Sequence, residues 1–148
     1  MPQPFRIQIN VDCRDAHVQA DWWAETLGWV VEPTSQDFIQ SMIDRGYATE
    51  NDTQVHRGTR VWRGAAAICP QAELSQPTRQ RIVFQEVPEE KTVKNRIHVD
   101  VVTGGDDVDR VREQLVARGA TYLETNSQGP HTWHVMTDPE GHEFCISP

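Results

Sequence analysis

The chain has 148 residues and a formal net charge of −8. This length fits one domain of common size, and we expect a single domain over residues 1–148. Lys and Arg are scattered without a basic stripe, so we expect no nucleic-acid partner. The N-terminus has no basic segment followed by an apolar one, and no apolar run nears the roughly 20 residues that span a bilayer. We therefore expect a soluble, cytoplasmic protein with no membrane partner.

The cysteines indicate the same compartment. Cys13, Cys69 and Cys145 are widely spaced and contain no CxxC pair. An odd, scattered set argues against a disulfide framework and against a structural zinc cage. Reduced thiols are typical of a cytoplasmic protein.

An internal repeat organises the chain. Segment 6–11, Arg-Ile-Gln-Ile-Asn-Val, lies almost in register with segment 96–101, Arg-Ile-His-Val-Asp-Val. Both segments alternate polar and β-branched apolar residues, which predicts a strand with two different faces. The polar face then carries Gln8 and Asn10 in the first copy, and His98 and Asp100 in the second.

A helix is predicted after each of these strands. Asp15 is a good N-cap for the first helix, and Gly28 is placed to end it. In the second copy Asp106 or Asp107 caps the helix, and Gly119 ends it. The expected apolar stripes consist of Val18, Trp22 and Leu27 in the first helix, and of Val108, Val111, Leu115 and Val116 in the second.

The remaining strands also occur in matched sets. The sequence Asp-Pro-Glu-Gly at 138–141 predicts a tight turn before the last strand. The order βαβββ therefore occurs twice, in modules at about 4–87 and 94–148. The predicted fold is α+β, with a curled eight-stranded mixed sheet and helices on its convex side. The other strands are predicted at 29–32, 58–68 and 81–85 in the first module, and at 120–124, 132–136 and 143–146 in the second.

Residues 33–57 are extra in the first module. Apolar residues at helical spacing predict an inserted helix at about 36–46, followed by a polar loop. This insertion is interpreted either as a lid over a cavity or as a surface decoration.

Polar side chains on the inner strands point into the concave side of the predicted sheet. Inward polar residues are costly in a closed core, so they indicate a wet or ligand-filled cavity. The alternative is a small hydrogen-bonded polar core that binds nothing. The four positions interpreted as equivalent, two per module, are Gln8, Gln85, His98 and Cys145. Asn10 and Asp100 lie one step further along the same faces.

Aromatic residues add a second feature to the predicted cavity. Trp62 and Trp133 lie on strands that would line it, and an aromatic wall suits flat or apolar ligands. Trp62 has a second interpretation, as packing under the inserted helix. Trp22 and Trp23 are assigned to packing between helix and sheet.

Three other residues are weaker candidates. Cys145 becomes a nucleophile only if His98 lowers its pKa, and a small apolar filler is the simpler interpretation. His131 and His134 would point to opposite faces of a strand, which favours surface histidines over a metal-binding pair.

Two motifs carry a family resemblance. Segment 20–29, Ala-Asp-Trp-Trp-Ala-Glu-Thr-Leu-Gly-Trp, and segment 138–144, Asp-Pro-Glu-Gly-His-Glu-Phe, resemble the helix end and the final turn of one group. This is the glyoxalase, bleomycin-resistance and extradiol-dioxygenase group, also called the vicinal oxygen chelate superfamily. Segment 94–100, Lys-Asn-Arg-Ile-His-Val-Asp, is most similar to its glyoxalase-like branch.

The resemblance implies a location for a divalent metal. Enzymes of the superfamily hold the metal with residues from the first and last strands of both modules, which in glyoxalase I are His or Gln, Glu, His and Glu. The matching positions here are Gln8, Gln85, His98 and Cys145. Both carboxylates are absent, and hard cations prefer carboxylate oxygens, so we predict no cofactor. Any divalent metal would be held by His98, Gln8 and Cys145.

The leading functional prediction is metal-free binding of a small organic ligand in a polar and aromatic cavity. The alternative is a metal-dependent lyase, isomerase or dioxygenase with an altered ligand set. A third hypothesis is a degenerate module that serves as a protein-interaction partner. A homodimer is also expected, because an open curled sheet leaves edges to cover and members of the superfamily usually dimerise.

Overall fold

The computed structural model describes residues 1–148. The chain has an α+β fold and divides into two compact units, Met1–Pro88 and Glu89–Pro148. Each unit contains one four-stranded sheet. The α+β class and the repeated βαβββ order predicted from the sequence are therefore confirmed.

The first unit has a mixed sheet with strand order β1-β6-β5-β2. β1 runs parallel to β6, and the other neighbours are antiparallel. β3 and β4 form a separate hairpin. In chain order, the elements are β1 (Ile9–Cys13), α1 (Ala16–Leu27), β2 (Val30–Val31), α2 (Gln36–Asp44), β3 (Thr53–His56), β4 (Thr59–Trp62), β5 (Ala65–Cys69) and β6 (Ile82–Glu86).

The second unit repeats this pattern without the insertion. Its sheet has the order β7-β10-β9-β8, again with the first strand parallel to the last and the other pairs antiparallel. Its elements are β7 (Val99–Val102), α3 (Val108–Ala117), β8 (Thr121–Gln128), β9 (His131–Thr137) and β10 (Glu143–Ser147).

The helix boundaries follow the capping residues found in the sequence. The side chain of Asp15 accepts a hydrogen bond from the backbone N–H of Val18 at 3.1 Å, and Gly28 ends α1 with φ 68°. Asp107, rather than Asp106, caps α3. Short-range hydrogen bonds of this kind satisfy N–H groups that a helix start leaves free, which is why local sequence predicts them.

The apolar stripe predicted for α1 is partly wrong. Val18 is 51% exposed, whereas small residues such as Ala16, Ala20 and Ala24 are buried. α1 packs on β5 and β6, and its buried residues include these alanines and Trp23. Small side chains let the helix approach the sheet closely, so this helix buries a face that hydrophobic spacing alone did not predict.

The single strand predicted at 58–68 is also wrong. The chain turns at Gly64, where φ is 86°, and separates β4 from β5. β4 pairs with β3 from the insertion instead of continuing into the main sheet. The structure therefore has two four-stranded sheets and one hairpin rather than one eight-stranded sheet.

The strand register corrects the equivalence drawn between Gln85 and Cys145. Asn10 pairs with Val83, whereas its counterpart in the repeat, Asp100, pairs with Cys145. Val83 therefore matches Cys145, and Gln85 lies two residues further along β6. The sequences near the ends of β6 and β10 are similar, but this similarity does not establish which positions are equivalent. Equivalence depends on the register in which β6 pairs with β1 and β10 pairs with β7.

The helices of the structure are short. None is long and apolar enough to cross a membrane.

Candidate functional site

The first unit contains a cavity of about 560 Å³. Its floor is formed by small and branched residues of the sheet, Ala65, Ala67 and Val83. These side chains share one face because alternate residues of a strand point the same way and paired residues of neighbouring strands lie side by side. Residues from α1, α2 and the hairpin complete the wall, and they include His17, Phe38, His56, Val61 and Trp62.

The aromatic part of this wall comes from Phe38 of the insertion and Trp62 of β4. Phe38 of α2 and Trp62 of β4 meet edge to face, with ring centroids 6.4 Å apart and an interplanar angle of 82°. Trp62 therefore packs against the inserted helix and lines the cavity, so both interpretations of this residue apply. The insertion is part of the cavity wall rather than a decoration remote from it.

Charged residues lie at another part of the cavity. Glu32 accepts hydrogen bonds from Arg79 at 2.6 Å and from Arg81 at 2.9 Å. Burial alone would raise the pKa of Glu32, but these bonds and the two positive charges outweigh it and lower the pKa. Glu32 and Arg81 both line the cavity, and their charges offset each other.

Gln8 lies beside this charged group. Its Oε1 accepts a hydrogen bond from Arg81 at 3.2 Å, and its Nε2 donates to Asn10 at 3.0 Å. Gln8 and Asn10 are therefore neighbours, as the strand alternation predicted. Gln85 is exposed and lies opposite Asp12 and Ala65.

A cluster that the sequence analysis missed joins α1 to the hairpin. His56 Nε2 lies 2.6 Å from Oδ2 of Asp21, and the His56 ring stacks on His17 with centroids 5.1 Å apart. His17 is only 5% exposed. His17 and Asp21 are four residues apart on one helix, so they share a face, and that spacing was the available signal.

The second unit holds a different polar group. The ligand atoms of His98, Asp100 and Cys145 lie within 4.8 Å of one another. Burial, followed by the nearby charge of Asp100, raises the pKa of the Cys145 thiol. This direction is opposite to the one a nucleophilic Cys145 requires.

The other second-unit candidates lie on β9. Trp133 is half-buried and pairs with Asn126 of β8. His134 is buried, not at the surface as expected, and its two ring nitrogens lie 2.7 Å from Asp109 and 2.7 Å from Thr125. Buried polar groups are normally hydrogen-bonded in this way, so His134 holds α3 and β8 to β9.

The residues of the first unit do not fit the metal that the superfamily implies. The only metal-ligating atom of Gln8, its Oε1, already accepts a hydrogen bond from the Arg81 guanidinium. The position that matches Cys145 in the first unit is Val83, which has no ligand atom. The first unit therefore offers no uncommitted metal-ligand atom at either of these positions.

Comparison with known proteins agrees with this architecture. A family model described as Glyoxalase-like domain matches residues 8–147. The chain belongs to this glyoxalase-like family. The resemblance to the vicinal oxygen chelate superfamily is thereby confirmed. No curated protein matches the chain.

Several solved structures share the fold. A possible glyoxalase from Bacillus cereus has a TM-score of 0.60 at 10% identity, with 99% of this chain and 100% of that chain covered. The fosfomycin resistance protein FosX from Mesorhizobium loti has a TM-score of 0.59 at 11% identity, with 99% and 92% covered. The oxidase ChaP-H2 has a TM-score of 0.57 at 16% identity, with 98% and 93% covered. Identities this low show the fold alone.

Proposed function

We propose that this glyoxalase-like protein binds a small, at least partly aromatic or planar organic molecule, without metal, in the cavity of the first unit. The observation that carries the proposal is the cavity itself. Its volume of about 560 Å³ falls within the range of roughly 300–1,000 Å³ typical of small-molecule sites.

The lining supports this ligand class. Phe38, Val61 and Trp62 offer apolar and aromatic area, and Ala65 and Ala67 leave the floor open because their side chains are short. A mostly apolar pocket with a few polar groups is typical of binding sites for organic ligands. The ring of Trp62 suits stacking against a flat molecule.

The remaining residues assigned from the sequence stay predictions as ligand contacts. They are Gln8, Asn10, Gln85, His98, Asp100, Trp133 and Cys145. Gln8 accepts a hydrogen bond from the cavity residue Arg81. Asn10 and Gln85 pair with the cavity residues Val83 and Ala65.

The test is a thermal-shift screen of the purified protein against planar metabolites and antibiotics, with and without chelator, followed by calorimetric titration of each hit. Trp62→Ala removes the stacking surface. Ala65 is exposed, and Ala65→Phe adds a ring that fills space above the cavity floor. We expect each change to weaken a hit about ten-fold or more, which corresponds to about 1.4 kcal/mol.

Tyr47→Ala is the matched control. Tyr47 is exposed, contacts Arg45 and does not line the cavity. Its removal should leave affinity unchanged. Hits that bind equally well to Trp62→Ala, Ala65→Phe and the wild type would contradict the proposal.

A second candidate function is the metal-dependent lyase, isomerase or dioxygenase. The closeness of His98, Asp100 and Cys145 favours it, because these are nitrogen, oxygen and sulfur donors of the kind that zinc accepts. Asp100 joins this group although the sequence analysis placed it on the cavity face and did not name it as a metal ligand. A divalent metal at this group would act as a Lewis acid.

The metal content of the purified protein separates the two functions. Stoichiometric zinc, nickel or manganese that stabilises the protein and is lost in His98→Ala would favour the enzyme. Protein that keeps its ligand affinity and melting temperature in chelator would favour metal-free binding.

A further inference from the structure

The cavity wall contains a histidine whose tautomer is fixed by a carboxylate. His56 Nε2 lies 2.6 Å from Oδ2 of Asp21, and Nε of Arg57 lies 3.1 Å from the same oxygen. A carboxylate oxygen only accepts hydrogen bonds, so Nε2 of His56 carries the hydrogen and donates it. In neutral His56 the lone pair is therefore on Nδ1. The protein offers no hydrogen-bond partner to that atom.

The second imidazole of the wall is oriented in the same way. His17 Nε2 lies 2.8 Å from the backbone carbonyl oxygen of Trp62. A carbonyl oxygen also only accepts, so Nε2 donates and Nδ1 of neutral His17 holds the lone pair. The two rings stack with an interplanar angle of 29°. Both rings line the cavity, and each has one nitrogen that can still accept a hydrogen bond.

Several ionisable groups face His56. Asp21 and His17 of α1 and Arg57 of its own hairpin face the ring, and Glu32 and Arg81 line the same cavity. Asp21 is only 20% exposed, whereas Arg57 is 76% exposed, so water screens the arginine more than the carboxylate. Glu32 and Arg81 are paired with each other. Asp21 is the charged group in direct contact with His56, at 2.6 Å.

We infer that the cavity takes a planar ligand with an acidic hydroxyl group, a phenol or an enol, and that His56 accepts the proton of that group. This inference rests on the proposed function and names its ligand class. The O–H bond of the ligand breaks, an N–H bond forms at Nδ1, and the electron pair stays on the ligand oxygen. The result is a phenolate or enolate beside an imidazolium that Asp21 stabilises.

The lining explains why a hydroxyl fits better than a carboxylate. A ligand carboxylate has no proton to give to the accepting nitrogens at neutral pH, and its charge is costly to bury against Phe38, Val61 and Trp62. A phenol enters uncharged and becomes an anion only where a cation forms next to it. The flat ring of the ligand also matches the aromatic wall.

The competing explanation is that His56 only pins the hairpin to α1. A purely structural role predicts no change in the ionisation of a bound ligand. The test therefore measures ionisation directly, with 4-nitrophenol as the probe, because its phenol and phenolate absorb at different wavelengths. Its methyl ether, 4-nitroanisole, has nearly the same shape and no acidic proton. It therefore measures binding to the cavity without proton transfer.

The spectrum of each bound compound is recorded at a pH where free 4-nitrophenol is mostly protonated. We expect wild-type protein to bind 4-nitrophenol as the phenolate and to bind 4-nitroanisole without a spectral change. His56→Gln keeps an amide that can donate to Asp21 but removes the base. It should bind 4-nitrophenol about ten-fold more weakly and in the protonated form, because a hydrogen bond between charged groups is lost.

Two further variants complete the design. Asp21→Asn keeps a polar side chain and removes the charge, so the bound phenolate fraction should fall while affinity for 4-nitroanisole stays within about two-fold. His131→Gln alters an exposed histidine of the second unit and should change nothing. The wild-type spectrum is informative even if a variant fails to fold.

The outcomes distinguish the two proposals. Wild-type protein that binds 4-nitrophenol in its protonated form, or His56→Gln protein that still ionises it, overturns the role of His56 and leaves the binding cavity standing. Failure of both compounds to bind wild-type protein contradicts the proposed binding function, and the inference falls with it.

Discussion

Arg81 donates a hydrogen bond from Nη1 to Oε1 of Gln8, with the two atoms 3.2 Å apart. The same guanidinium donates from Nε to Glu32 at 2.9 Å. A polar chain therefore links the residues just before β1 and just before β6 with the residue just after β2. It occupies the amide oxygen that the superfamily would use for a metal and joins three parts of the first unit.

Replacing Arg81 should destabilise the first unit. Arg81→Leu leaves Glu32, which is 12% exposed, with Arg79 alone and removes the donor to Gln8. We expect a loss of about 1–3 kcal/mol in the free energy of unfolding, measured by urea denaturation at neutral pH. Arg96→Leu at an exposed position is the control and should change it by less than about 0.5 kcal/mol. Equal effects of the two substitutions would show that the polar chain contributes nothing.

The free energy of unfolding should depend on pH through the ionisation of Glu32. Its pKa is lowered in the folded protein, so its stabilising contribution is fully present above the unfolded value of about 4.5 and is lost as pH falls through the folded value. Glu32→Gln should be less stable than wild type at neutral pH, and the gap should narrow below about pH 4.5. Urea denaturation at several pH values across this range measures the difference in free energy of unfolding between Glu32→Gln and wild type.

The control for this measurement is Glu90→Gln, at an exposed position. It should follow the wild-type pH profile throughout. A gap between Glu32→Gln and wild type that stays constant as pH falls would mean that ionisation of Glu32 does not stabilise the fold.

The two helix-ending glycines should differ in their tolerance of a side chain. Gly28 has φ 68° with open space where an added methyl group would lie, whereas Gly119 has φ 104° and an added Cβ would lie 3.4 Å from Pro139 Cγ. Gly28→Ala should cost about 1–2 kcal/mol through backbone strain, and Gly119→Ala should cost more. Thermal unfolding followed by circular dichroism gives the comparison. A larger loss for Gly28→Ala would contradict this account.

The expected homodimer stays a prediction. β8 is an edge strand, and its Tyr122 and Leu123 side chains are exposed. Exposed edges with apolar residues favour pairing with another chain. Light scattering at micromolar concentration should give twice the mass of the 16.9 kDa chain. A monomeric mass would refute the prediction.

Local features of the sequence predicted the framework well. The caps at Asp15 and Asp107 and the glycines that end α1 and α3 depend on contacts within three or four residues, so sequence spacing is enough to find them. The turn at 138–141 is confirmed for the same reason: the N–H of Gly141 donates to the carbonyl oxygen of Asp138 at 2.9 Å. The repeat of these signals indicated two βαβββ modules.

The site depended on contacts that no local pattern encodes. Asp21 meets His56 across 35 positions, and Gln8 meets Arg81 across 73. Strand register decides that Val83, rather than Gln85, matches Cys145. The break at Gly64 moves Trp62 from the main sheet to the hairpin. Caps, turns and the order of most elements could be predicted from the sequence, because they follow from short-range hydrogen bonding and periodicity. The family was inferred from the resemblance of short motifs. Which side chains share the cavity depends on strand pairing and long-range contacts, because a shift of one residue in pairing would turn each strand's side chains to the other face.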